Sequence, residues 1–237
     1  MSSTPAPLRR YRWTILSAGV LAQAAFSAIL LGLPAIAPAI QHHYELTLTQ
    51  VGVVLAALNF GSLATLLLWG IVADRIGERA VIAIGQAGTT AALVWAAYAP
   101  SFATLVLALS GAGALGAGVN AASGRAVMAW FGEEERGLAL GIRQMAVPLG
   151  GAVAAGALPA LNEQISLHAA FDGLAVGCFV AAMVGASPSR RTCRGPLCSG
   201  APAARSTRLE DLHREHVLRH DAAQPARLLR PLPARAP

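Results

Sequence analysis

Apolar residues fill the chain in long, nearly unbroken runs between residues 13 and 186, and polar positions collect in short intervals between them. The runs are too evenly apolar to be the one-sided stripe of a helix on a soluble core. A helix of about 20 apolar residues crosses roughly 30 Å of hydrocarbon. Six stretches reach that length, over about 13–38, 50–73, 80–99, 102–128, 137–160 and 167–186. Lipid offers no partner for a free N–H or C=O, so each stretch is expected to be helical. The pattern therefore predicts an all-α polytopic membrane protein. Its expected parts are an N-terminal segment over 1–12, a six-helix transmembrane domain over 13–186 and a tail over 187–237.

Charge sharpens this picture. Only 13% of the 237 residues are charged, against about 25% in soluble domains, and mean hydropathy is +0.54. The chain has no lysine, and its arginines lie in alternate connections. Arg9, Arg10 and Arg12 precede the first span, Arg75 and Arg79 separate the second and third, and Arg125, Arg136 and Arg143 bracket the link between the fourth and fifth. The other connections (QHHYELTLTQ, YAPSF and LNEQISLH) hold none. Arginine collects on the cytoplasmic side, so both ends of the chain are expected in the cytoplasm. Trp13, Trp69, Trp130 and Tyr98 fall near the expected boundaries, as interfacial aromatics do.

The formal charge of +6 arises entirely beyond residue 187, where ten arginines meet four acids. Seven prolines accompany them, and no apolar run there is long enough to cross. This composition predicts a disordered cytoplasmic tail, with at most a short helix over about 206–222. A frameshift in GC-rich coding DNA would produce the same mixture of Arg, Pro, Ala and Gly. His213, His216 and His220 share one face of that helix, and Cys193 and Cys198 are spaced C-x4-C. Neither group has the further ligands of a metal site. Cys178 is expected to be a small packing residue.

Several polar residues lie at membrane depth, where they are costly and face the protein interior. Gln23, Asn59, Gln86, Asn120 and Gln144 are candidates for a solute cavity. Each also answers to an interhelical hydrogen bond worth about 0.6 kcal/mol. Arg143, near the expected start of the fifth span, either attracts an anionic solute or reaches the headgroups and the acids Glu133, Glu134 and Glu135. Asp172 is a proton carrier or an interfacial carboxylate. Small residues dominate the fourth span (SGAGALGAGVNAASG) and the fifth (PLGGAVAAGALP), which lets backbones approach closely.

The stretch GIVADRIGER, residues 70–79, places a charged knot between the second and third spans. Gly70 is expected to close the second helix, Gly77 to permit a tight turn, and Asp74 to cap the third helix. Arg75 and Arg79 are expected to pair with Asp74 or with lipid phosphates.

This spacing, G-x-x-x-D-R-x-G-x-R over Gly70, Asp74, Arg75, Gly77 and Arg79, resembles the loop signature of major facilitator superfamily transporters. RRYRW, LPAIAPAI, LTLTQVG and WFGEEERGLALGIRQMAVPLGG are similar to other parts of that family's first half. The resemblance covers residues 8–186, one six-helix half of a normally twelve-helix carrier. It implies secondary active transport of a small solute by alternating access between two halves, with the Asp of the loop steadying one state. It also implies that helices one and four line the cavity, which brings Gln23 and Asn120 forward. A basic residue common in the family is replaced by Ala80. The Arg found in the fourth helix of proton-coupled exporters is missing, and Pro148, Leu149, Gly150 and Gly151 stand one residue tighter than the exporter pattern.

The expected partners are a small solute, a coupling proton, the lipid bilayer and the absent C-terminal half; no nucleic acid is expected. The expected location is the bacterial inner membrane. No Ser/His/Asp arrangement, Walker loop or metalloprotease motif occurs, so neither enzymatic activity nor a cofactor is expected. Two alternatives remain open. One is a six-helix homodimer acting as a small transporter or assembly factor. The other is a membrane enzyme using His168 and Asp172.

Overall fold

The computed structural model describes residues 6–186. The expectations for the tail, including the helix over 206–222, His213, His216, His220, Cys193 and Cys198, lie outside these residues. The elements run α1 (Ala6–Gly32), a 3-10 turn (Leu33–Ile36), α2 (Ala37–His43), α3 (Leu48–Ile76), α4 (Glu78–Ala97), α5 (Phe102–Trp130), α6 (Glu133–Gln164) and α7 (Leu167–Ala186). There is no strand among the described residues. Six helical stretches are long and apolar enough to span a membrane, with α1, the turn and α2 forming the first, Trp13–His43.

Local chemistry explains where these helices begin and end. Pro34 and Pro38 sit at the start of the 3-10 turn and of α2, where a missing N–H costs little. The first span therefore tightens at that point but continues to His43, five residues beyond its expected end. Thr47 starts α3 by accepting from the Gln50 amide, while the Gln50 side chain accepts from the Thr47 amide. Ser101 and Thr104 form the same reciprocal cap at the start of α5. Helix α6 starts at Glu133, four residues before its expected limit, because Glu133, Glu134 and Glu135 complement the positive end of its dipole. Pro148 and Pro159 lie inside α6. Pro148 has no N–H for the Gln144 carbonyl.

The knot between the second and third spans differs from its expected form. Helix α3 continues to Ile76, so Gly70 lies within it and does not close it. The break falls at Gly77, whose φ of 85° suits a residue without Cβ. Asp74 does not cap α4: Gly77 holds the cap position, and no side chain bonds there.

Backbone contact at small residues assembles the bundle. Helix α3 packs along α5, α1 along α6, and α4 against both α5 and α7. A Cβ on Gly113 would overlap the Leu58 carbonyl, and one on Gly61 would overlap the Ser110 carbonyl. Thr65 and Trp69 extend the same seam by donating to the Ala114 carbonyl at 2.7 and 2.6 Å. Trp69 thus also serves as an interhelical donor. Gly150 makes the corresponding close approach to the Ala24 carbonyl between α6 and α1. The core collects between these seams, around Phe26, Ile29, Leu93, Leu105, Leu109 and Phe171. Cys178 packs within it, as expected. Helices α3 and α6 bury only 28% of their most apolar window, against 44–50% in the other spans. They form the margins of the bundle.

Gly113→Ala is expected to cost about 1–3 kcal/mol, because the methyl group meets backbone that cannot yield. Gly111→Ala, where an added Cβ meets nothing within 4 Å, is expected to be neutral or mildly stabilising. Thermal unfolding of the two variants in detergent compares them directly.

Candidate functional site

Three helices bring polar side chains together deep in the bundle. Gln23 on α1 donates from Nε2 to Asn120 Oδ1 on α5 at 2.9 Å. Arg143 on α6 donates from Nη2 to Gln23 Oε1 at 3.2 Å and to the Asn120 carbonyl at 3.4 Å. Its Nε donates to Ser123 Oγ at 2.8 Å. Ser123 in turn donates to the Val119 carbonyl at 2.6 Å, which fixes the hydroxyl for the guanidinium. Gln23 and Ser123 are buried, while Asn120 and Arg143 are half-buried.

The depth follows from helix geometry. Arg143 lies ten residues inside α6, Asn120 ten residues from the end of α5, and Gln23 ten residues beyond Trp13. At 1.5 Å per residue each sits about 15 Å from the arginine-bearing end, about a third of the way along its span. The Arg143 side chain turns inward: its hydrogen bonds go to α1 and α5 and not to Glu133, Glu134 or Glu135. A void of about 10 Å³ lies beside it, lined by Gly19, Ser123, Val127, Phe131 and Arg143 among others. That volume is room for one water.

The other amide candidates lie apart from this cluster. Asn59 is exposed and donates to the Leu55 carbonyl of its own helix at 3.1 Å. Gln144 is exposed, since a neighbour of Arg143 on a helix points about 100° away from it. Gln86 is fully buried and donates from Nε2 to the Ala22 carbonyl at 2.8 Å, joining α4 to α1. Its Oε1 has no partner.

The arginine-bearing end holds a second feature. Asp74 pairs with Arg125 of α5, and Arg125 Nη1 also donates to the Gly70 carbonyl at 3.3 Å. The aspartate of the knot is thus clasped by a helix two elements later, and not by Arg75 or Arg79 as expected. Arg75 adjoins Asp74 on the same helix and cannot face it. Gly70 lies one turn before Asp74, which puts its carbonyl within reach of the same guanidinium. Neither Ser123 nor Arg125 stood out in the sequence as a partner of these groups.

At the opposite end, aromatic and titratable side chains gather. His168 meets His43 edge-to-face at 5.8 Å and lies tilted against Tyr98 at 5.4 Å, and Tyr98 donates to Asp172 at 3.5 Å. Asp172 is therefore tied to the α4 end and remote from the Arg143 cluster. Tyr44 donates to the Ala99 carbonyl at 2.9 Å, and burial pushes its phenol up. An open cleft of about 340 Å³ lies beside His42, His43 and Asn162. Among the described residues, no three His, Cys, Asp or Glu side chains are arranged to hold a metal.

Comparison with known proteins places this architecture. The family model described as Major Facilitator Superfamily matches residues 11–205. Two uncharacterized MFS-type transporters of Mycobacterium tuberculosis, from strains CDC 1551 / Oshkosh and ATCC 25618 / H37Rv, are each 35% identical to it over 172 residues. These alignments cover 73% of this chain and 38% of each relative, so the chain spans less than half of their length. Two crystal structures of a bacterial homolog to the human lysosomal transporter Spinster, both inward-facing, share the fold at a TM-score of 0.65 and 19% identity. The unoccupied form covers 77% of this chain and 43% of its own, the occupied form 81% and 46%. The chain belongs to the Major Facilitator Superfamily, a family of transporters, and is a multi-pass membrane protein.

Gln23→Leu removes an acceptor from Arg143 and a donor from Asn120, and is expected to destabilise the bundle by about 1–3 kcal/mol. The loss should be strongly non-additive with Asn120→Leu, with a coupling above about 0.5 kcal/mol. A double-mutant cycle read by thermal unfolding measures it.

Proposed function

We propose that this chain forms one six-helix half of a secondary active transporter that moves a small solute by alternating access. The observation that supports this reading is the joint placement of Gln23, Asn120 and Arg143 from three helices within their membrane spans. An ionisable group held within the span, with amides from two further helices around it, supports a solute pathway. Binding at the midplane between two moving halves is the arrangement that alternating access requires. Asn59 and Gln144, which turn away from the cluster, belong to the faces of α3 and α6 that a second six-helix half would complete. Any proton coupling lies outside the cluster, whose described side chains include neither a carboxylate nor a histidine.

The clasp of Asp74 by Arg125 supports a switching role for the Gly70–Arg79 loop. It ties the α3 end to α5 with an exposed ion pair, which contributes little to stability and is weakened by salt. Such a link is suited to being exchanged between two states. The one-sided distribution of arginine supports cytoplasmic ends and residence in the bacterial inner membrane.

Single cysteines at 23, 120 and 144, in a background lacking Cys178, Cys193 and Cys198, test the solute path. A membrane-impermeant maleimide is expected to label 120 and 144 readily from the cytoplasmic side in inside-out vesicles, and 23, which is buried, more slowly. A cysteine at Ala22, which is fully buried, should stay unlabelled. Protection of 23 and 120 equal to that of 22 would leave the cluster a purely structural contact.

A further inference from the structure

Arg143 carries a full charge about a third of the way along α6, and every partner it has is neutral: Ser123 Oγ, Gln23 Oε1 and the Asn120 carbonyl. These three acceptors aim the guanidinium without neutralising it. The acids of the described chain lie elsewhere. Glu133, Glu134 and Glu135 are two to three turns away along α6, Asp74 is held by Arg125, and Asp172 sits at the opposite end beside Tyr98. A positive charge half-withdrawn from water without a counter-charge is costly, and the cost falls when an anion arrives.

The guanidinium also has unused capacity. Its Nη1 makes no hydrogen bond within the described residues, and neither does Nδ2 of Asn120. Gln86 Oε1 is the one enclosed side-chain polar atom left without a partner among those residues, so neither of these nitrogens is sealed in. Gly124 adjoins the guanidinium: a Cβ there would touch Arg143 Cζ at 3.9 Å, so the glycine leaves that side free of a side chain. Two donor groups, one of them charged, thus remain open at a site whose other atoms are already engaged.

We propose that Arg143 is an anion subsite and takes the carboxylate of a small organic monoanion, held by Nη1 with Asn120 Nδ2 as second donor. Planar carboxylate matches the planar donor fork of arginine. A single negative charge leaves the pair neutral at that depth, whereas a doubly charged phosphate would leave an uncompensated negative charge. Gln23 and Ser123 are positioning residues, which hold the guanidinium and do not touch the anion. This assignment rests on the transporter reading and specifies the solute it favours.

The test uses the full chain in a neutral detergent at constant ionic strength, with benzoate as probe and benzamide as its uncharged counterpart. Benzoate is expected to raise Tm saturably by about 5 °C and benzamide to have no effect. Arg143→Lys should keep the response at roughly tenfold weaker affinity, since it retains charge but loses the fork. Arg143→Gln should lose it, and Arg136→Gln, altered at the helix start, should keep it. Asn120→Asp provides a variant that retains Arg143 but gives it a built-in counter-ion. It should raise the Tm of the ligand-free chain and abolish the benzoate response. Equal shifts from benzoate and benzamide, or an undiminished benzoate response in Asn120→Asp, would overturn the proposal. A larger shift from inorganic phosphate than from benzoate would also overturn it. If benzoate fails while cysteines at 23 and 120 still label from water, the anion assignment falls and the transporter reading stands. If the labelling fails as well, both fall.

Discussion

Close contact between helix backbones is the interaction on which the rest of this structure depends. In lipid the apolar side chains gain nothing by leaving water, so helices adhere through packing and a few polar bonds. The seam between α3 and α5 uses both. Gly61 and Gly113 bring the backbones together, and Thr65 and Trp69 then reach the Ala114 carbonyl. The second seam, at Gly150 and Ala24, joins α6 to α1. Gly116 lies against Phe26 and brings α5 to α1, so the three helices converge. Without those approaches, Arg143 on α6 would not reach Gln23 and Asn120 together. The polar cluster is a consequence of how tightly small residues let three helices meet.

Much of the fold was legible because the solvent imposes it. A span must be about 20 residues long, apolar and helical, so six runs of that kind translate almost directly into six crossings. The sharp turn at Gly77 was legible for a related reason, since a break between two long helices needs a residue that accepts positive φ. Helix ends were less legible where polar chemistry extends a helix beyond its apolar run. Glu133, Glu134 and Glu135 read as a loop by hydropathy, yet they suit a helix N-terminus.

The site was legible in part. Gln23 and Asn120 were two of five amides at membrane depth, and only the family resemblance, in which helices one and four line the cavity, brought them forward. The direction of Arg143 was not legible, since a long cationic chain can run either to the headgroups or inward, and only tertiary packing decides. Gln144 and Arg143 show the limit clearly: adjacent in sequence, both polar, they point to different surroundings. Ser123 was hidden because a helical serine commonly bonds the carbonyl one turn back, as it does here to Val119, and only its second bond reveals a role. Arg125 was hidden by distance in sequence. Asp74 had two nearer arginines, and the partner it finds is 51 residues away.

The proline inside α6 gives that helix an uneven stiffness. Pro148 leaves the Gln144 carbonyl without its usual donor, one residue beyond the arginine that reaches into the bundle. A rod with one weakened joint flexes at the joint first. The segment from Glu133 to Gln144 can therefore pivot as a short lever while the remainder of α6 stays anchored along α1 by Gly150. A small rotation there would swing the acidic start of α6 farthest, while Arg143, next to the joint, would stay close to its oxygen partners.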